Sequence, residues 1–152
     1  MANILIFGAG SMGTAFSFPC SDKNHAVTVI GTHLENNFID QINLKKIHPT
    51  LHCEVPKNVK FIKFEKLEEE SNKKVDLIVV AVSSKGIEWV STELSKILKS
   101  TIPILILTKG LAINNNNYEV LANKMDRLLK KKGIKETNIS VVGGPCLAKG
   151  LV

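Results

Sequence analysis

The chain has 152 residues, 44% of them hydrophobic and 22% charged, and a formal net charge of +6. This composition excludes disordered and fibrous classes, and the length suits one domain with a buried core. The positive charge suits an anionic ligand but not a nucleic acid, because much of it lies in solvated lysines such as Lys130–Lys132 with no aromatic residues interleaved.

Asn3–Phe7 reads as a short apolar strand running directly into Gly8-Ala9-Gly10-Ser11-Met12-Gly13, the pattern G-x-G-x-x-G. Gly8 permits the tight turn out of the strand, and Gly10 lets the backbone approach a pyrophosphate. Gly13 lets the next helix, Ser11–Lys23, pack close to the sheet. The anion then meets free N–H groups at the positive end of that helix. A second strand, Ala26–Ile30, ends in Gly31-Thr32-His33 with no acidic residue at its tip, and Glu35 falls in the following helix, Glu35–Leu44. An acid at that tip normally binds the adenosine ribose hydroxyls of NAD. Its absence removes the repulsion that rejects a 2′-phosphate, and Thr32, His33, Lys45 and Lys46 can donate to one. The sequence therefore favours NADP while allowing NAD. The plainer reading of Thr32 and His33 is that they start the next helix.

Further strands are predicted at Val59–Phe61, Leu77–Val82, Ile104–Leu107 and Ile139–Val142, and helices at Lys66–Ser71, Lys85–Leu98 and Tyr118–Lys132. Leu77–Val82 and Ile104–Leu107 are apolar throughout, as parallel strands covered on both faces are. The alternation of strands and helices implies an α/β fold, a doubly wound, mostly parallel sheet of Rossmann type, incomplete at the C-terminal end. Asn114–Asn117 reads as a polar loop, and Gly133 as the C-cap of the helix ending in lysines. Ser83 and Ser84 follow the fourth strand at the ligand-binding end of such sheets, and suit a cofactor contact or a helix cap. Trp89 reads as a packing residue.

No cleavable signal precedes the first strand, and no apolar run reaches about 18 residues. Cys20, Cys53 and Cys146 are odd in number and scattered, which speaks for a reducing, cytoplasmic setting. Pro49 disfavours the helix that would put His48 and His52 on one face, so no metal site is assigned, and His48 is expected to shape a loop near the cofactor. Cys146 has no identifiable His–acid partnership and is not assigned as a nucleophile.

Six blocks occur in order along the chain: GAGSMGTA at Gly8–Ala15, IGT at Ile30–Thr32, HPTL at His48–Leu51, VAVSSKG at Val80–Gly86, TKGL at Thr108–Leu111 and GPCLAKG at Gly144–Gly150. With them the chain resembles the NAD(P)-dependent glycerol-3-phosphate dehydrogenases, most closely their archaeal-type branch. The resemblance implies reversible hydride transfer between nicotinamide and carbon 2 of sn-glycerol 3-phosphate, giving dihydroxyacetone phosphate. It implies that Ser11 and Met12 lie over the pyrophosphate, Thr32 at the adenosine 2′ region and Ala148 near the cofactor. It makes Lys109 the active-site lysine, beside both nicotinamide and substrate, and puts Gly144 and Cys146 in the substrate loop. A fixed ammonium beside the C2 oxygen stabilises the alkoxide-like charge that develops as hydride moves.

Gly150 stands where the family usually has glutamate, and Gly143 where serine or threonine often precedes the Gly-Pro pair. Family members also continue for about as many residues again, adding a helical substrate domain with an acid/base lysine and a phosphate-gripping arginine. On that comparison residues 1–152 are the dinucleotide-binding domain alone, and the isolated chain is expected to be inactive. Apolar surface at Leu147, Leu151 and Val152 is expected to drive a homo-oligomer through the C-terminal end. The alternatives are a non-catalytic NAD(P)-binding module, or another two-domain NADP dehydrogenase such as a ketopantoate reductase, which lacks the paired TKGL and GPxxA segments.

Overall fold

The apolar, β-branched runs of the chain form strands β1 (Asn3–Phe7), β2 (Ala26–Ile30), β3 (Val59–Ile62), β4 (Leu77–Val80) and β5 (Pro103–Ile106) in a computed structural model that describes residues 1–152. They are followed by β6 (Leu111–Asn114), β7 (Asn117–Val120) and β8 (Asn138–Val141). Helices α1 (Ser11–Asp22), α2 (Asn36–Lys45), α3 (Leu67–Ser71), α4 (Ile87–Ile97) and α5 (Leu121–Lys131) lie between them. Six strands make one parallel sheet in the order β3-β2-β1-β4-β5-β8. With the β6–β7 hairpin set aside, this is the strand order of the dinucleotide-binding fold, and it reverses between β1 and β4. The crevice for a ligand opens at that reversal, outside the carboxyl ends of the strands.

Alternation along each strand distributes the core over both faces of the sheet. Ile4, Ile6, Val27 and Val29 pack against Ile39 and Ile42 of α2, with Phe16 and Cys20 of α1 beside them. Leu5, Phe7, Val80, Ile104 and Ile106 face α4 and α5. Helix α5 buries Leu121, Met125 and Leu129, a stripe at four-residue spacing. Truncating Met125 or Leu129 to alanine removes fully buried side chains, at a cost of about 2–5 kcal/mol. The helix closes with Gly133 N–H on Lys130 O and Ile134 N–H on Leu129 O, the paired bonds of a glycine-terminated cap.

The expected helix starting at Tyr118 is shorter than its sequence pattern. Tyr118 lies in β7, which pairs antiparallel with β6, and α5 starts only at Leu121. The presumed Asn114–Asn117 loop is the turn of this hairpin, with Asn115 and Asn116 at φ 50° and 60°. Both left-handed positions suit asparagine, whose short side chain tolerates them. Arg127 of α5 pairs with Glu119 and ties the hairpin to the helix. The predicted strand Leu77–Val82 ends at Val80, because the chain then turns out of the sheet toward a short 3₁₀ turn at Ser84–Gly86.

Candidate functional site

The glycine turn between β1 and α1 has no room for side chains on its sheet side. Gly8 adopts φ +103°, and a Cβ there would stand 2.8 Å from Ala81 O. A Cβ on Gly13 would stand 2.0 Å from Gly8 O, so the helix meets the strand only because none is present. Gly10 differs: its nearest neighbour in that direction is Glu35 Oε1 at 3.9 Å. Gly10 is the N-cap of α1, no side chain caps the helix, and its first turn carries no acidic residue. The first-turn N–H groups, including those of Ser11 and Met12, are thus left to an incoming anion.

Three side chains hold this turn. Thr14 Oγ1 donates to Ala9 O at 3.0 Å, and His48 Nε2 lies 3.0 Å from the same oxygen. Glu35 Oε2 accepts from Ala9 N at 3.3 Å and from Thr32 N at 2.6 Å. The Glu35 carboxylate corrects the expectation of a strand tip free of acid. Glu35 does not lie within α2 but immediately precedes it, in a turn closed by Glu35 N–H on Thr32 O at 2.9 Å, and its side chain folds back over the end of β2 rather than onto the helix. Nor do Thr32 and His33 start a helix, since α2 begins at Asn36.

A cavity of about 530 Å³ opens beside the turn, bounded by Gly10, Thr32, His33, Glu35, Ser83 and Trp89. Its walls come from the loops after β1, β2 and β4. His33 and Phe64 each set their rings 5.1 Å from the Trp89 indole. Trp89 is therefore both a core-flanking residue and a wall of the cavity, a role its place in an amphipathic helix did not reveal. Ser83 is exposed on the cavity and makes no side-chain cap to the turn that follows it. Lys85 lines the same space; Lys45 and Lys46 lie outside it.

His48 is fully buried. Its Nδ1 accepts N–H bonds from Thr50 at 3.2 Å and Leu51 at 3.0 Å, which puts the imidazole proton on Nε2, facing Ala9 O. Burial pushes its pKa below the ordinary imidazole value, opposed by the bond to Ala9 and by the Glu35 charge. With both nitrogens engaged by backbone, His48 has no lone pair left for a metal.

Lys109, Gly144 and Cys146 stand at the other side of the crevice. Lys109 follows β5, is exposed, and donates from Nζ to Val142 O just beyond β8 at 3.0 Å. This bond brings the lysine to the root of the Gly144–Cys146 loop. Thr108, next to it, is buried and donates to Val82 O at 2.6 Å, anchoring the segment to the end of β4. Gly144 is exposed at φ +80°, and Cys146 is a half-buried free thiol. Ala148 begins a 3₁₀ turn, Ala148–Gly150, that packs against α1, so the chain returns toward the glycine turn. Leu147 and Val152 remain exposed, and Leu151 is half-buried. No helix is long and apolar enough to cross a membrane.

Residues 3–152 match the family model described as NAD-dependent glycerol-3-phosphate dehydrogenase N-terminus. The NADP(+)-dependent glycerol-3-phosphate dehydrogenase of Archaeoglobus fulgidus is 27% identical over 146 residues, covering 96% of this chain and 42% of the relative. The Glycerol-3-phosphate dehydrogenase [NAD(P)+] of Bacillus pumilus is 33% identical over 113 residues, or 73% of this chain and 31% of the relative. The chain thus spans less than half the length of these relatives. Among solved structures, the glycerol-3-phosphate dehydrogenase of Coxiella burnetii superposes with a TM-score of 0.78 at 22% identity, covering 99% of this chain and 43% of that one. That likeness shows the fold.

Proposed function

The chain belongs to the NAD-dependent glycerol-3-phosphate dehydrogenase family, and we propose that residues 1–152 serve as its dinucleotide-binding unit in the interconversion of sn-glycerol 3-phosphate and dihydroxyacetone phosphate. One observation carries the reading: an uncapped helix N-terminus and an open Gly10 face a cavity walled by the loops after β1, β2 and β4. The amides of the Gly8–Gly13 turn would hold the pyrophosphate, with Thr32, His33 and Ser83 around the adenosine and Ala148 near the cofactor. When bound, the nicotinamide supplies or accepts the hydride. Lys109 would hold the C2 oxygen of the substrate with its ammonium, while Gly144 and Cys146 shape the loop that receives it.

The finer reading is a preference for NADP. A carboxylate does stand near the end of β2, but Glu35 Oε2 is already engaged by two backbone amides. Thr32, His33 and Lys85 border the cavity and can donate to a 2′-phosphate. The Archaeoglobus relative is named as NADP(+)-dependent. Titration of the chain with NADPH and NADH, followed by Trp89 fluorescence or calorimetry, tests both levels. Tighter binding of NADPH is expected. Tighter NADH overturns the preference, and binding of neither overturns the site.

A homo-oligomer is part of the same proposal, supported by the unpaired outer edge of β8 and the exposed Val141, Leu147 and Val152. Sedimentation at several concentrations, beside Leu151→Lys, is expected to show association that the lysine weakens; a monomer at high concentration overturns it.

A further inference from the structure

The Ala9 peptide is the middle of the glycine turn, and its carbonyl is reached by a side chain from 39 residues away, His48. The Ala9 carbonyl and the Gly10 N–H belong to one planar trans unit and point in opposite directions. A donor fixed on the carbonyl therefore fixes the aim of the Gly10 N–H, beside the start of α1. The oxygen is shared with Thr14 Oγ1, and of the forms of His48 only the neutral imidazole protonated at Nε2 fits there. Its Nδ1 accepts from the Thr50 and Leu51 amides while Nε2–H donates to Ala9 O, and the ring packs edge-on to Phe38 at 4.9 Å. The titratable groups facing it are Glu35, from the turn after β2, and His52, from its own loop.

We propose that His48, in its neutral form, is a positioning residue for dinucleotide binding that sets the Ala9–Gly10 peptide for the incoming phosphate. The inference rests on the dinucleotide reading above. A second proton on Nδ1 would confront two N–H donors, so protonation releases the loop and loosens the turn. Burial moves that event below the ordinary imidazole value.

The test uses the 152-residue chain and NADH, which has no 2′-phosphate to titrate, with binding measured by calorimetry from about pH 8 to about pH 5.5. His48→Asn keeps an acceptor for the Thr50 and Leu51 amides but cannot reach Ala9. His48→Gln keeps a donor at that reach and does not titrate. His48→Asn is expected to weaken NADH binding about tenfold, the worth of one well-placed hydrogen bond. His48→Gln is expected to stay within about threefold of the wild type near pH 8, and to lack the wild type's further weakening in acid. Thermal unfolding of each variant separates positioning from folding. The proposal is overturned if His48→Asn binds like the wild type, if both variants lose affinity only in step with melting temperature, or if His48→Gln keeps the acid weakening. Failure of the wild-type chain to bind NADH at any pH instead overturns the dinucleotide reading itself.

Discussion

The two sides of the crevice are built differently. On the β1–β2 side, a backbone turn with Gly8, Ala9 and Gly13 buried is packed against Ala81 and held by Thr14, Glu35 and His48. On the β5–β8 side, Lys109 and Gly144 stand exposed, and the segments beyond the strands are joined by one side-chain hydrogen bond, from Lys109 to Val142 O. Recognition on the first side is a matter of backbone shape, which packing enforces. On the second it is a matter of side-chain chemistry, which little restrains. On the first side, substitutions on the packed face of the turn should break folding and binding together while those on its open face break binding alone; on the second side folding should be untouched.

The largest effects come from two glycines of the same turn, and they should divide. Gly13→Val forces a side chain into Gly8 O and is expected to lower stability by about 3 kcal/mol or more, read as a collapsed melting temperature. A Cβ at Gly10 meets only Glu35 Oε1, at an ordinary contact distance of 3.9 Å, so the fold of Gly10→Val should hold while NADH and NADPH binding falls below detection in calorimetry. If Gly10→Val unfolds the chain as Gly13→Val does, the turn is structural throughout and the contrast fails.

On the opposite side, Lys109→Met is expected to leave melting temperature unchanged and NADH affinity within about twofold. Because the isolated chain is expected to be inactive, the loss is read as substrate capture: dihydroxyacetone phosphate should raise the melting temperature of the NADH-loaded wild-type chain and not that of Lys109→Met. A large loss of stability would place Lys109 among the structural residues instead. A smaller effect is expected from Glu35→Gln, which removes a charge beside the adenosine cavity but keeps an acceptor for Ala9 and Thr32. The ratio of NADPH to NADH affinity should rise about fivefold, matching roughly 1 kcal/mol of screened repulsion; an unchanged ratio would remove Glu35 from cofactor choice.

Much of this contrast was legible in the sequence. The β1 and β2 boundaries follow from apolar runs, and the glycine turn from its spacing. The hairpin was not legible, because Tyr118 happens to fall at helical spacing from Leu121 and Met125, and four-residue strands carry too little alternation to compete. The Glu35 carboxylate is not legible from the tip Gly31-Thr32-His33, because Glu35 reads as part of the following helix, whereas a turn returns it from three residues beyond Thr32. The HPTL block puts His48 in a loop near the cofactor, but its bond to Ala9 has no local signal: it spans 39 residues and exists only once α2 and the following loop are folded against the turn.

The smallest effect lies at the far, amino end of the sheet. Asp76 accepts from Asn3 N at 2.9 Å and meets Lys74 at 3.1 Å, which holds its carboxyl below the usual aspartate range. A depressed carboxyl contributes stability that is full above the unfolded-state value, about 3.9, and is lost as pH falls through the folded value. Asp76→Asn should therefore flatten the acid side of the stability curve below about pH 4 and leave NADH binding unchanged. Any change in binding would mean that the two ends of the sheet communicate.

The position of β1 has a consequence for how the chain reaches this structure. β1 precedes the other strands of this sheet in the chain, yet it occupies the interior of the sheet, between β2 and β4. Its contact with the segment before β2 closes a span of 23 residues, whereas its contact with the segment before β4 closes one of 73. Loop closure penalises the longer span, so β1, α1 and β2 are expected to form a nucleus while the other edge of β1 waits unpaired. Destabilising the β1–β2 contact should then slow refolding, whereas destabilising β5–β8 should mainly hasten unfolding. The segment that carries the phosphate-binding turn is thus also the one whose timing governs the assembly of the sheet.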